Sequence, residues 1–229
     1  MGHAESAMRV ALTRQLAAGK ISREGRGLYA LNRAGLALGQ AVDAWRQEPA
    51  VLIDWPGSWI AVHDATVQRS DKTCWRHHQL ALRLRGFATF QPGLHLRPCN
   101  RPGGVAGERA ALEALGLAEA AAVFLVSELH ARDMQRALGL WPVAELLAGY
   151  DSMRQALREH RAAWPNLPTD QLVRESLLLG RAVVTQLVHD PMLPASLMPS
   201  GGPGRHALVK EFTSYLAGAR RQWRQWMAK

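Results

Sequence analysis

Residues 6–35 read SAMRVALTRQLAAGKISREGRGLYALNRAG, and this stretch decides how the start of the chain folds. Met8, Leu12 and Leu16 recur every fourth residue, which predicts a helix with one apolar stripe. Gly19 is a typical residue at the end of such a helix, because glycine adopts the left-handed backbone found there. The pattern therefore predicts one amphipathic helix over about three turns.

A hairpin is predicted directly after this helix. Ile21 and the run LYAL at 28–31 are apolar segments, and they flank REGRG at 23–27, a glycine-bearing turn with arginines at its tip. A helix followed by a basic hairpin is typical of the end of a winged helix-turn-helix, in which the helix enters the major groove of DNA and the hairpin meets the backbone. The competing interpretation is an ordinary helix and hairpin with solvated arginines.

The winged-helix interpretation assigns roles to six polar side chains, because base contacts specify a site and phosphate contacts position the protein. The predicted base-reading residues, on one side of the helix, are Ser6, Arg9 and Thr13. The predicted phosphate-binding residues are Arg14, Arg23 and Arg26.

Composition points to an acidic partner. The chain has 229 residues, enough for two or three domains, and its 48% hydrophobic content is enough for packed cores. Its formal net charge is +9 and its pI is about 10.5. Such a charge favours a polyanion, with double-stranded DNA first and an anionic small molecule such as a coenzyme A ester second.

The cellular compartment is predicted to be the cytoplasm. The chain has only two cysteines, and His3, Glu5 and Arg9 interrupt any apolar signal segment at its start. The most apolar stretches, at 118–129 and 176–188, are too short or too interrupted by polar residues to cross a bilayer. We therefore expect no membrane partner.

Residues 51–131 alternate between strand and helix patterns. Strands are expected at 58–63 and within 87–96, with a buried strand at 121–129. Helices are expected at 71–85, where Asp71 can cap the start, and at 108–115. This order predicts a small α+β sandwich of ferredoxin-like type. A further helix at 32–46 precedes a boundary near residue 50, where proline and glycine cluster.

From residue 132 onward the pattern is helical. Helices are predicted at 134–138, 143–163, 169–189 and from about residue 206 to the end. Asp190, between a helix end and Pro191, is interpreted as a turn residue rather than a ligand contact. The predicted fold class is therefore α+β, with a partial winged helix-turn-helix at 1–50, a ferredoxin-like domain at 51–131 and an all-helical effector or dimerisation domain at 132–229.

Five segments and two single residues resemble the PaaX family of bacterial transcriptional regulators, named for the repressor of phenylacetate catabolism. They are RVALTR at 9–14, GRGLYAL at 25–31, WPGSW at 55–59, GFATFQPGL at 86–94 and HDPMLPASLMP at 189–199, with Trp141 and Tyr150 at matching spacing. The last segment is the most specific of these, and the resemblance covers nearly the whole chain.

The resemblance implies a homodimeric DNA-binding repressor, not an enzyme, that is released from DNA by an acyl-CoA effector such as phenylacetyl-CoA. No other cofactor is expected. The cationic side chains that could bind the coenzyme A phosphates are Arg83, Arg85, Arg97 and Arg101. A winged helix of this kind normally has two helices ahead of the recognition helix, so we expect an N-terminally shortened module. Either the start of the sequence was assigned late, or residues 32–45 and a partner chain cover the apolar stripe of the helix.

Two other functions stay open. The first is a dimeric effector-binding or interaction protein without DNA binding. The second is a metal-dependent nuclease using Asp64, because the central domain also resembles the small nuclease-like subunit of CRISPR spacer acquisition. One carboxylate does not make a two-metal site.

A metal site is not expected, although nitrogen and sulfur ligands are present in the middle of the chain. Those side chains are Cys74, His77, His78, His95 and Cys99. Their spacing is not that of a zinc knuckle or ribbon, so buried cysteines and surface histidines are the default interpretation.

Overall fold

The computed structural model describes residues 5–17, 21–25, 27–31, 52–199 and 204–227, and only the backbone of residues 5–7 and 31. The chain divides into two units, Met1–Ala44 and Trp45–Lys229. Helices and two antiparallel sheets make it an α+β protein.

In the first unit, helix α1 spans Glu5–Ala17 and packs against strand β1, Ile21–Gly25, which pairs antiparallel with β2, Leu28–Leu31. The predicted helix and hairpin are confirmed. The predicted turn at 23–27 is too long, since Arg23 pairs with Tyr29 and Gly25 pairs with Leu28 inside the ladder. Backbone pairing thus extends further than the apolar pattern indicates, and Arg23 lies on the strand rather than at the tip.

Several predictions fall outside the described residues. They are the Gly19 helix end, the position of Arg26, the helix at 32–46 and the boundary near residue 50.

The second unit begins with a β-α-β-β-α-β series. Its elements are β3 Trp59–His63, α2 Lys72–Leu84, β4 Ala88–Gln91, β5 Leu94–Pro98, α3 Gly104–Ala114 and β6 Ala122–Val126. The strands form one antiparallel sheet in the order β4-β5-β3-β6. The predicted cap on α2 is confirmed, because the Asp71 side chain accepts hydrogen bonds from the backbone nitrogens of Thr73 and Cys74.

Two predictions in this segment are wrong. Helix α3 begins at Gly104 rather than 108, because the glycine-rich loop itself enters the first helical turn. Strand β6 is not buried, since Phe124 is 40% and Leu125 49% exposed. An apolar run does not distinguish a central strand from an edge strand, and β6 lies at the edge of its sheet.

Helices follow, as predicted: α4 Ala131–Leu138, α5 Val143–Ala163, α6 Thr169–Val188 and α7 Gly204–Met227. Short 3-10 turns lie at Trp164–Asn166 and Ala195–Leu197. Helices α5, α6 and α7 pack around Tyr150, Leu187, Phe212 and Tyr215. No helix within the described residues combines the length and apolarity needed to cross a membrane.

The sheet packs on both faces. One face holds Ile60 and Val62 against Leu82 and Leu112 of α2 and α3. The other face meets the helical segment, where the rings of Trp59 and Trp141 stack with centroids 6.0 Å apart. Residues 52–131 and the helical segment therefore share a core within one unit, and the separation of the two as domains at residue 131 stays a prediction.

Candidate functional site

Helix α1 displays most of the predicted DNA-reading side chains. Arg9, Thr13 and Arg14 are exposed, and Thr13 donates its hydroxyl hydrogen to the backbone oxygen of Arg9, 2.9 Å away. Ser6 lies in the helix, but its side chain is outside the described residues. The helix thus brings Arg9 and Thr13 together, one turn apart, while the role of each stays a prediction.

The hairpin carries one described arginine. Arg23 is exposed on β1, and its Nε donates to the backbone oxygen of Gly25 at 3.2 Å. This bond holds the guanidinium close to its own strand. Arg26, the other predicted phosphate-binding arginine of this segment, lies outside the described residues.

The apolar stripe of α1 is only partly covered. Met8 is 56% exposed, while Leu12 and Leu16 are half-buried. Strand β1 packs against this helix. A fully buried leucine or methionine side chain stabilises a fold by about 1.5–3 kcal/mol, and Met8 contributes only part of this here.

A cavity of about 590 Å³ lies within the second unit, between the end of the sheet and the helices. Its walls come from the α2–β4 junction, the loop before α5, and the facing surfaces of α5 and α6. The lining residues are Arg83, Gly86, Phe87, Ala88, Leu140, Trp141, Pro142, Glu145, Leu146, Gly149, Gln186, His189 and Pro191. Its size and its mostly apolar wall with few polar groups are typical of a small-molecule site.

Gly86 lines the cavity at a point where the backbone of Pro191 comes close to it. Its φ of +77° is left-handed, and a side chain there would come within 2.7 Å of the Pro191 backbone. The indole Nε1 of Trp141 donates a hydrogen bond to the backbone oxygen of Gly86 at 3.3 Å. The chain therefore turns from α2 into β4 against two loops of the helical segment, and the cavity lies beside this junction.

The four predicted effector-binding arginines are not brought to one place. Arg83 is exposed and lines the cavity. Arg85, Arg97 and Arg101 instead surround the buried carboxylate of Glu108, at nearest N–O distances of 2.7, 3.5 and 4.0 Å. Arg97 is fully buried, and its Nη2 also donates to Asn100 Oδ1 at 2.8 Å. These three arginines pair with a buried carboxylate inside the fold, whereas Arg83 is exposed at the cavity.

Glu108 is held as a carboxylate by this arrangement. Burial alone would raise the pKa of Glu108, but the hydrogen bond from Arg85 and the charges of Arg97, Arg85 and Arg101 outweigh burial and lower it. The negative charge of Glu108 is therefore retained in the folded protein, where it balances part of the positive charge of the three arginines.

Asp190 joins three parts of the helical segment beside the cavity. Its Oδ2 accepts the phenolic hydrogen of Tyr150 and lies 3.4 Å from Arg205 Nε, and its Oδ1 accepts from the Met192 nitrogen at 2.8 Å. Met192 has a φ of +54°, which is unusual for a residue other than glycine. The hydrogen bond from its backbone nitrogen to Asp190 Oδ1 supports this conformation. The prediction that Asp190 makes a turn is confirmed.

The Tyr150 hydroxyl is a permanent donor in this contact. Burial, and then the Asp190 charge and hydrogen bond, raise the pKa of Tyr150 well above its usual value. The phenol therefore stays protonated at physiological pH.

Asp64 is buried and faces two histidines. Its Oδ2 lies 3.0 Å from His78 Nε2 and 3.1 Å from His95 Nε2. The backbone nitrogen of Ala118 donates to His78 Nδ1, so the hydrogen of a neutral His78 is on Nε2 and points at Asp64. His95 Nδ1 lies 3.2 Å from Thr89 Oγ1. Burial lowers the pKa of His95, and the opposing effect of Asp64 is smaller.

This cluster does not assemble the oxygens of a nuclease site. The described residues contain no group of three histidine, cysteine or acidic side chains that could hold a metal ion. Cys74 is an exposed free thiol and Cys99 a half-buried one, and the predicted surface histidine His78 is fully buried. The nuclease stays a hypothesis that rests on Asp64 alone.

Sequence reasoning missed three polar residues of the cavity, Glu145, Gln186 and His189. Glu145 and Gln186 lie on helices whose apolar period indicates only packing, and His189 directly follows one of these helices. The one usable signal is the HDPMLPASLMP segment, because its first and third residues, His189 and Pro191, both line the cavity. His189 Nδ1 lies 2.8 Å from the Thr185 oxygen and donates to it, which leaves Nε2 available to a ligand.

Comparison with known proteins supports the fold and nothing finer. No family model matches the sequence. No curated protein matches it either. Among solved structures, the chain is similar to the uncharacterized protein Rv0674 from Mycobacterium tuberculosis, with a TM-score of 0.62 and 21% identity over 96% of this chain and 84% of that chain. At this level of identity the likeness concerns the fold alone.

Proposed function

We propose that the chain is a DNA-binding transcriptional regulator of the PaaX type, a repressor of an aromatic or acyl-CoA catabolic operon. The observation that carries the proposal is the packing of α1 against β1, which puts the exposed Arg9 and Arg14 on an element adjoining the exposed Arg23. Helix and basic hairpin in contact are the parts with which a winged helix meets a groove and the flanking phosphates. The net charge of +9 favours the same partner.

The finer fold assignments belong to this proposal. We take the first unit as the end of a winged helix-turn-helix. We take β3 to β6 with α2 and α3 as a ferredoxin-like domain, which the β-α-β-β-α-β series and the strand order β4-β5-β3-β6 support. The regulator would act in the cytoplasm as a homodimer.

The cavity beside Gly86 is the proposed effector site. Phe87, Leu140 and Trp141 would receive the acyl group of an acyl-CoA such as phenylacetyl-CoA, and Arg83 would meet an anionic part of the ligand. Arg85, Arg97 and Arg101 have no part in this version of the site, because Glu108 holds them.

DNA binding is tested by gel shift with the region upstream of the operon that contains the gene. Arg9→Ala, Arg23→Ala and Arg26→Ala should each weaken binding. Arg23→Ala and Arg26→Ala should each also reduce the log–log salt slope by about one, because the variant neutralises one phosphate fewer, whereas loss of the base contact in Arg9→Ala should relax sequence specificity. Arg174→Ala, which removes an exposed arginine from α6, is the matched control and should bind like the parent. Equal binding by all four variants at several salt concentrations would refute the residue assignment.

Effector binding is tested by thermal unfolding with phenylacetyl-CoA and with free coenzyme A. The acyl-CoA should raise the melting temperature of the parent, and Arg83→Ala should reduce that rise. Arg76→Ala, an exposed residue of α2 outside the cavity, should not.

A dimeric effector-binding protein without DNA binding is the second candidate. It is favoured by the location of the cavity. All residues that line the cavity belong to the second unit, and none of them belongs to α1 or the hairpin. Stabilisation by acyl-CoA together with no salt-dependent DNA affinity would support this candidate over the first.

A further inference from the structure

We propose that one flank of helices α6 and α7 binds an acidic amphipathic helix of a partner protein. The flank is defined by six exposed side chains, three on each helix: Arg174, Leu177, Arg181, Arg220, Arg224 and Met227. The inference depends neither on DNA binding nor on the effector cavity.

The flank is formed by two helices in direct contact. The indole Nε1 of Trp223 on α7 donates a hydrogen bond to the buried Ser176 Oγ on α6, at 2.7 Å. Arg174 and Leu177 lie within two residues of Ser176, and Arg224 directly follows Trp223. The contact therefore brings side chains of both helices together at one end of the helical segment.

Helix α5 packs on the other side of both helices. The carboxylates of Glu175 on α6 and Glu211 on α7 lie 3.3 and 2.6 Å from nitrogen atoms of α5 side chains. At about 100° per residue, Leu177 is turned about 160° from Glu175, and Met227 about 160° from Glu211. The three flank residues of each helix are three or four positions apart and so share one side. This side faces away from α5.

The four arginines of the flank are exposed and, within the described residues, pair with no acidic side chain. Glu211 is the last acidic residue of the sequence, and it pairs with Arg154 and Arg158 of α5. Arg224 Nε donates to the backbone oxygen of Arg220, at 3.3 Å. The flank therefore carries four positive charges that the carboxylates of a partner could neutralise.

Apolar side chains lie among these arginines. Leu177 is 43% and Met227 67% exposed. Helices that bind a membrane surface separate their apolar and charged residues onto different faces, whereas here the two kinds share one face. Duplex DNA would neutralise the arginines but would set Leu177 and Met227 against charged phosphates. The mixed flank is instead complementary to a protein surface that also mixes apolar and acidic side chains.

Charge also argues against a second copy of the chain as the occupant. A two-fold interface brings the same surface of both copies together. The four arginines would then face the same four arginines, and like charges across an interface oppose association. The occupant is therefore a different protein.

The spacing of the flank residues matches a helix. Arg174, Leu177 and Arg181 span two turns of α6 with an apolar residue between two cations. A partner helix with apolar and acidic residues three or four positions apart repeats this spacing, so its side chains can meet the flank over the same length.

Selection from a displayed library of random peptides tests the chemistry of the partner. The peptides have about 16 residues, which is enough for four helical turns, and the full chain is the bait. Selected peptides should be enriched in glutamate and aspartate, with apolar residues at intervals of three or four.

Fluorescence anisotropy with the strongest selected peptide then locates its site. Arg181→Glu combined with Arg220→Glu should weaken binding by about tenfold or more. Arg76→Glu combined with Arg132→Glu changes the net charge equally at exposed arginines of α2 and α4, and this control should bind like the parent.

A second pair of variants tests the apolar part of the flank. Leu177→Gln should weaken peptide binding severalfold. Ile53→Gln, at an apolar side chain that is 48% exposed, is the control and should bind like the parent. Circular dichroism confirms that each variant is folded.

Several outcomes would overturn the proposal. A library that yields no binder, peptides without acidic enrichment, or equal binding to both double variants would show that the flank does not recognise acidic helices. Duplex DNA and vesicles of phosphatidylglycerol with phosphatidylcholine are measured in parallel. If either binds the parent and the control but not the flank double variant, the flank belongs to that partner instead.

Discussion

The guanidinium of Arg85 donates two hydrogen bonds to the carboxylate of Glu108, from Nε to Oε1 at 2.7 Å and from Nη2 to Oε2 at 2.8 Å. This pair is the outer part of a cluster that continues inward to Arg97, which has no exposed surface. A buried cation is tolerated only when an anion stays beside it, so Glu108 is the residue on which the cluster depends.

Replacing Glu108 by alanine should therefore lower the free energy of unfolding by about 3–5 kcal/mol, because Arg97 would be left buried without that carboxylate. Glu113→Ala on the same helix is the control, since its side chain is 51% exposed and pairs with Arg109 at the surface. That control should cost at most about 1 kcal/mol. Urea unfolding followed by tryptophan fluorescence measures both, and equal losses would contradict the structural role given to Glu108.

Asp190→Ala should also destabilise the protein, by about 3–5 kcal/mol, since Tyr150, Arg205 and the Met192 nitrogen would lose one shared acceptor. Asp151→Ala, at a side chain that is 61% exposed, is the matched control and should have little effect. Because Asp190 lies beside the cavity, the variant should also bind the proposed effector more weakly. A variant as stable as the control would show that Asp190 only shapes its turn.

Gly86→Ala combines backbone strain with a collision. The φ of +77° costs a side-chain-bearing residue about 1–2 kcal/mol, and its Cβ would lie 2.7 Å from the Pro191 backbone. Gly57 has a similar φ of +86° but nothing within 4 Å of the added carbon, so Gly57→Ala measures the strain alone. Thermal unfolding should show a clearly larger loss for Gly86→Ala, and similar losses would mean that Pro191 moves aside freely.

The stability of the fold should depend on pH through His95. Burial lowers the pKa of His95 below its ordinary 6.5. As the pH falls, His95 is therefore protonated in the unfolded chain before it is protonated in the native protein. Stability is then complete above pH 6.5 and declines as the pH falls through the interval below it. His95→Gln should flatten the pH dependence in that interval, as measured by urea midpoints between about pH 5 and 7.5.

His206→Gln removes an exposed imidazole and is the control for His95→Gln. It should leave the pH dependence of the parent unchanged. If the parent and His95→Gln show the same decline below pH 6.5, another group is responsible.

The sequence by itself determined most elements of the fold. The period of the apolar residues located α1, and it located α5 at Val143–Ala163 to the residue. Asp71 and the glycine-bearing turns marked the ends of other elements. These signals are local, because capping and periodicity depend on residues within one or two turns of each other. The α+β class followed from the order of the elements.

Only the tertiary structure decided what distant residues do together. Four arginines looked alike in sequence, yet three surround Glu108 and Arg83 alone reaches the cavity. The cavity itself joins Gly86, Trp141 and His189, which lie far apart along the chain. The run at 121–129 was predicted to be a buried strand, but the strand that forms, Ala122–Val126, lies at the sheet edge and is partly exposed. Ion pairing, cavity walls and strand order depend on contacts across the fold, and no local pattern contains them.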